Sequence, residues 1–323
     1  MKTKKRWIAL LLTLQMGLGH FYIGEYKKSL FFLLFPIVIL WITWYLLQDI
    51  SFMPFLGAVG SIMIYVYAFI DIWRSFPIED SPSLKYSRWY YVLAFFIFLY
   101  ILSLLSLSFF PVKSFRIPAS SMSNTLLIND DIIANKQATA ERNQVVVFKY
   151  PIRPEIFYVK RVVAKGGDEV IYTDGKLLIH FHEGDEYMVN NYPKEYIKKY
   201  REKLWVENPY MINNKNIHYS KEFGRETLFQ NLLYRPSAYG ESAMKPIYLD
   251  DKDLEVYSMN DGEIFNALYI KIKDGNYFMM GDNRENSNDS RFWGEVEEKY
   301  IFGIAKVVYF SYSDLSRIGT EIK

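Results

Sequence analysis

Three serines fall within four positions in the stretch PASSMSNTL: Ser120, Ser121 and Ser123. A hydroxyl-rich turn is in most proteins a solvated turn. It becomes chemistry only where the chain supplies a group to take a serine proton. The four histidines do not supply one. His20 lies in an apolar segment, His180 and His182 alternate on one short run, and His218 stands alone, so no Ser-His-Asp set is placed. His180 and His182 at i, i+2 lack acidic partners at ligand spacing, so neither a metal nor another cofactor is expected. The chain has no cysteine, which excludes disulfides, thiolate ligands and a cysteine nucleophile. A serine paired with a lysine remains as the activated nucleophile.

The lysine to consider is Lys160, in FYVKRVV. Period-two alternation sends Tyr158, Lys160 and Val162 to one face and Val159, Arg161 and Val163 to the other, so one of two adjacent cations points inward. A second dense polar stretch, Asp282–Arg291, lies between Met279-Met280 and Phe292-Trp293. Such a run is usually a solvated loop. Its apolar flanks imply partial burial, and buried polar groups must be hydrogen-bonded. Asp–Arg pairs meet that need bidentately.

These residues need elements to hold them. The first 110 residues carry 9 of the 38 Lys/Arg and 5 of the 36 Asp/Glu, and three apolar runs: 29–47, 53–73 and 89–110. Each approaches the roughly 20 residues a helix needs to cross about 30 Å of hydrocarbon. Pro36 lies inside the first, and Asp71 near the end of the second reads as a helix-end residue. Segment 7–24 is short and carries Gln15, two glycines and His20, so it is expected to be re-entrant or interfacial rather than spanning. Lys27, Lys28, Arg74, Lys85 and Arg88 mark one side, whereas 48–52 has no Lys or Arg. The positive side is cytoplasmic, which sends residues 111–323 to the outer face.

From Phe115 the pattern changes to short β-like runs at 131–136, 144–150, 157–164, 169–181, 277–282 and 303–312, with TDGK as a hairpin turn. Tyr192–Val206 reads as one amphipathic helix. The expected fold is a set of N-terminal transmembrane α-helices (1–110) followed by a mainly-β extracytoplasmic catalytic domain (111–323), with a partly helical insertion at about 183–265. The outer domain is close to neutral, with 29 Lys/Arg against 31 Asp/Glu, and shows no basic patch for nucleic acid.

Four blocks, in order, resemble bacterial type I signal peptidases: RIPASSMSNTL, RNQVVVFKYP, YVKRVVAKGGDEV and GDNRENSNDSRFWGEV. The resemblance covers 111–182 and 266–312. It implies a membrane serine endopeptidase that removes signal peptides from exported preproteins, working among membrane lipid and near the secretion machinery. It implies Ser121 as nucleophile, Lys160 as general base and Ser287 as the residue orienting the lysine. Asp282, Arg284, Asp289 and Arg291 become scaffold. The family usually has Gly directly before the nucleophile, Ser or Gly before that, and often Pro three residues after. Here those places hold Ser120, Ala119 and Asn124. Ala119 has no hydroxyl for an oxyanion site, which leaves the Ser121 amide and Ser120. One lost oxyanion donor costs roughly 3–4 kcal/mol.

The lysine must also lose its proton. At a pKa of about 10.4, roughly one in 2,500 is neutral at pH 7, a deficit of about 4.6 kcal/mol. Burial against Tyr158, Phe148 and Met280 would lower that pKa. Two other readings compete. One is a non-catalytic polytopic accessory protein that binds peptides, which the departures at 119 and 124 favour. The other, a self-cleaving Ser/Lys repressor, fails for want of a DNA-binding segment.

Overall fold

The computed structural model describes residues 4–46, 53–76, 88–109, 112–136, 139–173, 175–200, 202–218, 243–252, 254, 256–258 and 262–323. The ends of the expected spans at 47 and 110, the loops at 48–52 and around Lys85, and much of the insertion lie outside these residues. Two compact units emerge, Met1–Pro111 and Val112–Lys323.

The first unit is helical: α1 Arg6–Thr13, α2 Leu18–Ile23, α3 Tyr26–Leu46, α4 Met53–Arg74 and α5 Trp89–Phe109. By length and composition, α3 and α4 are long and apolar enough to cross a membrane, over Tyr26–Thr43 and Leu56–Arg74. Their side chains face mostly outward, with 22% of either stretch buried. Pro36 sits inside α3, and the Ser61 hydroxyl approaches its carbonyl at 3.4 Å. α1 and α2 form a short hairpin against α4. Arg6 donates to the Phe76 carbonyl at 3.4 Å, the Tyr65 hydroxyl donates to the Leu14 carbonyl at 2.8 Å, and His20 returns to within 3.1 Å of Asp71. At 1.5 Å rise per residue, Tyr65 is only about 13 Å along α4 from Arg74. The hairpin therefore enters and leaves at one end of α4. Gly17 makes its turn at φ +81°, where an added Cβ would meet the Ser29 carbonyl at 2.6 Å. Asp71 is no free helix-end residue, since it also accepts from Lys28 at 2.9 Å.

The second unit is mainly β. Its strands are β1 Val112–Arg116, β2 Asp130–Asn135, β3 Val145–Tyr150, β4 Arg153–Lys165, β5 Glu169–Thr173, β6 Lys176–His180, β7 Ile197–Tyr200, β8 Lys203–Glu207, β9 Lys245–Ile247, β10 Tyr257–Ser258, β11 Ile264–Phe265, β12 Ala267–Lys271, β13 Asn276–Met280, β14 Val296–Glu297 and β15 Ile301–Ser311. Among the described residues, one sheet runs β1-β2-β15-β3-β4-β13-β14 and another β7-β8-β6-β5-β12-β9, with β10 and β11 paired apart. All the pairings within these sheets are antiparallel. The expected runs appear within a few residues of their positions. Thr173 opposes Lys176 across the TDGK turn, and Gly175 takes φ +71° there.

The run Val145-Val146-Val147-Phe148 is buried throughout because β3 is covered on both faces. Val145 and Val147 join Met122, Leu126, Ile132 and Val308 on one side, while Val146 and Phe148 join Val162, Met279 and Trp293 on the other.

Tyr192–Val206 is not a helix. Helix α6, Asp185–Asn191, ends before Pro193, and β7 and β8 follow as a hairpin in which Tyr200 opposes Lys203 and Glu202 takes φ +63°. The helix-like spacing lost to two-sided burial. Neighbours Trp205 and Val206 enter different core clusters, which a strand permits, and Val206 pairs with Ile179 of β6.

Candidate active site

β4 carries Lys160 opposite Val146 and Arg161 opposite Val145. Both cations are buried, at 4% and 0% exposure. The Lys160 ammonium donates to Ser121 Oγ at 2.6 Å and to the Val159 carbonyl at 3.1 Å, and lies 5.3 Å from the Tyr158 ring centre. Burial pulls its pKa down to about 8. Asp289 and Asp282 work against the shift, and Arg291 adds to it. Of the expected apolar wall, Tyr158 and Phe148 share one cluster, whereas Met280 opposes Arg161 and belongs to another. Met279 is the methionine on the Lys160 side.

Ser121 is delivered by the turn after β1. Ser120–Met122 form one 3-10 turn, and Met122 and Leu126 are sealed in the core, which fixes the serine between them and solvent. The polar run then holds this turn. Asn283 N–H donates to the Ser121 carbonyl at 3.1 Å, and Asn283 Nδ2 to the Ser120 carbonyl at 3.3 Å. Asn286 Nδ2 donates to Ser120 Oγ at 3.2 Å, and the Thr125 hydroxyl donates to Asp282 at 2.5 Å. Gly281 allows the close approach: an added Cβ would lie 2.3 Å from Ser287 Oγ and 2.4 Å from the Ser121 carbonyl oxygen. Ser287 is therefore beside the nucleophile, but its buried hydroxyl does not bond Lys160; the charged group it faces is the Asp289 carboxylate.

Of the two Asp–Arg pairs the polar run makes, one is internal and one reaches across to β4. Asp289 and Arg291 pair as expected, at 2.8 and 2.9 Å, and the Gly281 amide donates to Asp289 at 3.1 Å. Asp289 also caps α7, Ser290–Trp293. Burial alone would raise the Asp289 carboxyl, but the Arg291 guanidinium and the Gly281 amide hold it below its ordinary value. Asp282 pairs not with Arg284 but with Arg161, bidentately at 2.8 and 2.6 Å. Arg284 is buried, has no carboxylate partner among the described residues, and touches Met280 Sδ at 3.7 Å. Its carbonyl accepts from Arg291.

Asn124 stands at φ +73°, a conformation closed to proline and tolerated by asparagine. Its Nδ2 lies 3.1 Å from His218 Nδ1. His218 also bonds the polar run through its backbone, to Asp282 and Arg284. Sequence reading passed over His218, Asn283 and Asn286, because nothing local marks a residue that acts only across the fold. His182 does meet carboxylates, Asp168 at 3.0 Å and Glu183 at 3.5 Å, but the Arg142 guanidinium sits among all three. His180 turns instead to the Leu204 carbonyl.

The family model described as signal peptidase, peptidase S26, matches residues 88–310. The chain belongs to the signal peptidase family. That membership makes it a serine peptidase. Signal peptidase I of Helicobacter pylori strain J99 is 32% identical over 245 residues, 66% of this chain and 80% of that protein. The Aquifex aeolicus strain VF5 protein of the same name is 33% identical over 235 residues, 67% and 82%. The protein of that name from H. pylori strain 26695 is 38% identical over 176 residues, and the chain spans 56% of its length. A signal peptidase I crystal structure from Enterococcus faecalis V583 aligns with 52% of this chain and 97% of its own at 18% identity, with a TM-score of 0.26. The blocks with Ser121, Lys160 and the polar run all fall inside the family match.

Proposed function

We propose that the chain is a membrane-bound endopeptidase that removes N-terminal signal peptides from exported preproteins, with Ser121 as nucleophile and Lys160 as general base. The observation that carries this is the 2.6 Å separation of Lys160 Nζ and Ser121 Oγ, with the lysine buried and its pKa drawn down to about 8. At pH 7 the deficit for a neutral base falls from about 4.6 to about 1.4 kcal/mol. Neutral Nζ accepts the Ser121 proton while Oγ attacks the scissile carbonyl. The electron pair moves to oxygen, where the Ser121 amide and Ser120 are the candidate donors. When the C=O re-forms, the C–N bond breaks and Lys160 returns the proton to the leaving amine. Water, deprotonated by the same lysine, then releases the acyl group.

Ser287 packs against Gly281 and limits the space available to the dyad, a positioning role. Asp282, Arg161, Asp289 and Arg291 are scaffold, and Arg284 fills space beneath them. Residues 1–110 are the membrane region, with 7–24 re-entrant or interfacial, and 111–323 the catalytic domain at the outer face. There a signal peptide still in the lipid, close to the secretion machinery, would meet Ser121. Support comes from the apolar helices, the one-ended hairpin of α1 and α2, and the positions of Lys27, Lys28, Arg74 and Arg88. Cleavage of a model preprotein by the purified chain, absent in Ser121→Ala, tests the chemistry. Reporter fusions at Ser51, Pro82 and the C-terminus test the sidedness, and a cytoplasmic C-terminus would overturn it.

A further inference from the structure

We propose that His218, supplied by the insertion, is a positioning residue for the nucleophile turn, its Nδ1–H clamping the left-handed Asn124. This rests on the peptidase reading above. The insertion presents the histidine rigidly. The Tyr210 hydroxyl donates to the Val163 carbonyl of β4 at 2.7 Å, and Ile217 is sealed in the core with Val163 and Met280. His218 then forms a parallel bridge with Asn283. Its N–H donates to the Asp282 carbonyl at 2.9 Å, and its carbonyl accepts from the Arg284 N–H at 2.9 Å. Asn283 is the residue that holds the Ser120 and Ser121 carbonyls. The His218 ring reaches the later arm of the same turn, where Asn124 stands at φ +73° and Thr125 donates to Asp282 at 2.5 Å. The polar run thus holds the turn at Ser121 and again beyond it, and His218 brings the insertion into the second tie.

The ring's contacts fix where its proton sits. His218 Nδ1 lies 2.9 Å from the Asn216 carbonyl oxygen, which only accepts, so Nδ1 carries the proton. An N–H cannot accept from the Asn124 amide group 3.1 Å away. The partner that fits there is the amide oxygen, which a half-turn of the Asn124 side chain brings round. The shared Nδ1–H then holds Asn124 to the Asn216 carbonyl. His218 touches no reacting atom. Its loss frees the turn, and displacement of Ser121 Oγ from Lys160 costs turnover rather than substrate affinity.

The test is steady-state cleavage of a model preprotein by the full chain in detergent. It compares wild type, Ser121→Ala, His218→Ala, His218→Asn, His218→Gln, Asn124→Gly and the His218→Ala/Asn124→Gly double variant. His218→Ala should lower kcat about tenfold, with KM and the thermal midpoint nearly unchanged. Asparagine places its Nδ2–H where histidine has Nδ1–H, whereas glutamine reaches the place of Nε2. His218→Asn should therefore stay within about threefold of wild type, and His218→Gln should fall with His218→Ala. This pair decides even where the alanine variant folds poorly. Asn124→Gly keeps the left-handed backbone and removes the amide, so it should match His218→Ala, and the double variant should be little worse than either. Nitrogen-15 spectra of histidine-labelled protein in alkaline buffer read the proton directly. The ring signals that vanish in His218→Asn should show Nδ1–H. Overturning results are a His218→Ala kcat within about twofold of wild type, losses that multiply in the double variant, equal activity of His218→Asn and His218→Gln, or an Nε2–H ring. A wild type that does not cleave overturns the peptidase reading, and the ring signals still decide the clamp. An active wild type with an indifferent His218→Ala overturns the positioning role alone.

Discussion

The two faces of β4 hold adjacent cations under equal burial and treat them in opposite ways. Arg161 meets the Asp282 carboxylate bidentately at 2.8 and 2.6 Å, and the Asn143 carbonyl at 2.5 Å. Lys160, one residue away, meets a hydroxyl and a carbonyl, with no carboxylate in contact among the described residues. Arginine cannot give up its proton in a protein, so its face must supply counter-charge. Lysine can, and burial lowers its pKa to about 8 on a face where no carboxylate pairs with it directly. Burial alone does not distinguish a scaffold cation from a base. What decides is whether a carboxylate accompanies it, and whether the ammonium faces a group with a proton to give.

The largest break in this comparison is Lys160→Arg, which places an arginine's fixed charge on the face built for a lysine. Activity should fall by about 10⁴-fold or more, and the residue should stay inactive at every pH. Wild-type kcat/KM should rise with pH through a midpoint near 8, where the base becomes neutral. A wild-type profile already flat from pH 5.5 upward, or a fully active Lys160→Arg, sinks the dyad.

Next in size is Asp282→Ala, which strips the partner from the other face. Arg161 is then buried with an unpaired charge, at a cost of about 3–5 kcal/mol. Thr125 also loses the acceptor at 2.5 Å that ties the nucleophile turn to the polar run. The urea midpoint should drop sharply, while turnover per folded molecule should fall by less than about tenfold, since no reacting atom is touched. Near-native stability would show that the pair is not the scaffold described here.

Much of this contrast was legible in the sequence, and the illegible part has a common cause. Period-two alternation in FYVKRVV separates Lys160 from Arg161, and the β runs and the TDGK hairpin follow from residue type. What could not be read locally was who meets whom. Arg284 is two residues from Asp282 in sequence, yet Arg161, 121 residues away, takes the carboxylate because β4 and β13 are neighbours in the sheet. Asn286 and His218 bond the nucleophile turn only once the chain has folded. Tyr192–Val206 misled for the same reason, since its helical spacing hid two cores on opposite sides of β8.

A smaller effect, of about 100-fold in kcat, is expected for Gly281→Ala. The added methyl would lie 2.3 Å from Ser287 Oγ and 2.4 Å from the Ser121 carbonyl oxygen, so the serine must shift away from the lysine. The Arg161 face is spared. Stability should therefore change less than for Asp282→Ala while activity changes more, and the reverse ranking would place Gly281 in the scaffold.

The smallest effect sharpens the comparison most, because it measures what the unpaired face costs the fold. Lys160 titrates near 8 when folded, against about 10.5 in the unfolded chain. Between those values the unfolded chain binds the extra proton, so wild-type stability should rise as pH climbs from 8 to 10.5. Below pH 8 the folded protein carries the buried ammonium and bears the full penalty, at most about 3 kcal/mol for a shift of this size. Lys160→Met keeps a long apolar side chain and has no proton to place. It should be inactive but more stable than wild type at pH 7, by up to about 3 kcal/mol, with the gain fading towards pH 10.5. Urea unfolding of both proteins at pH 7, 8.5 and 10 measures it. An advantage independent of pH would mean that Lys160 is satisfied as an ammonium, and that the two faces of β4 are alike after all.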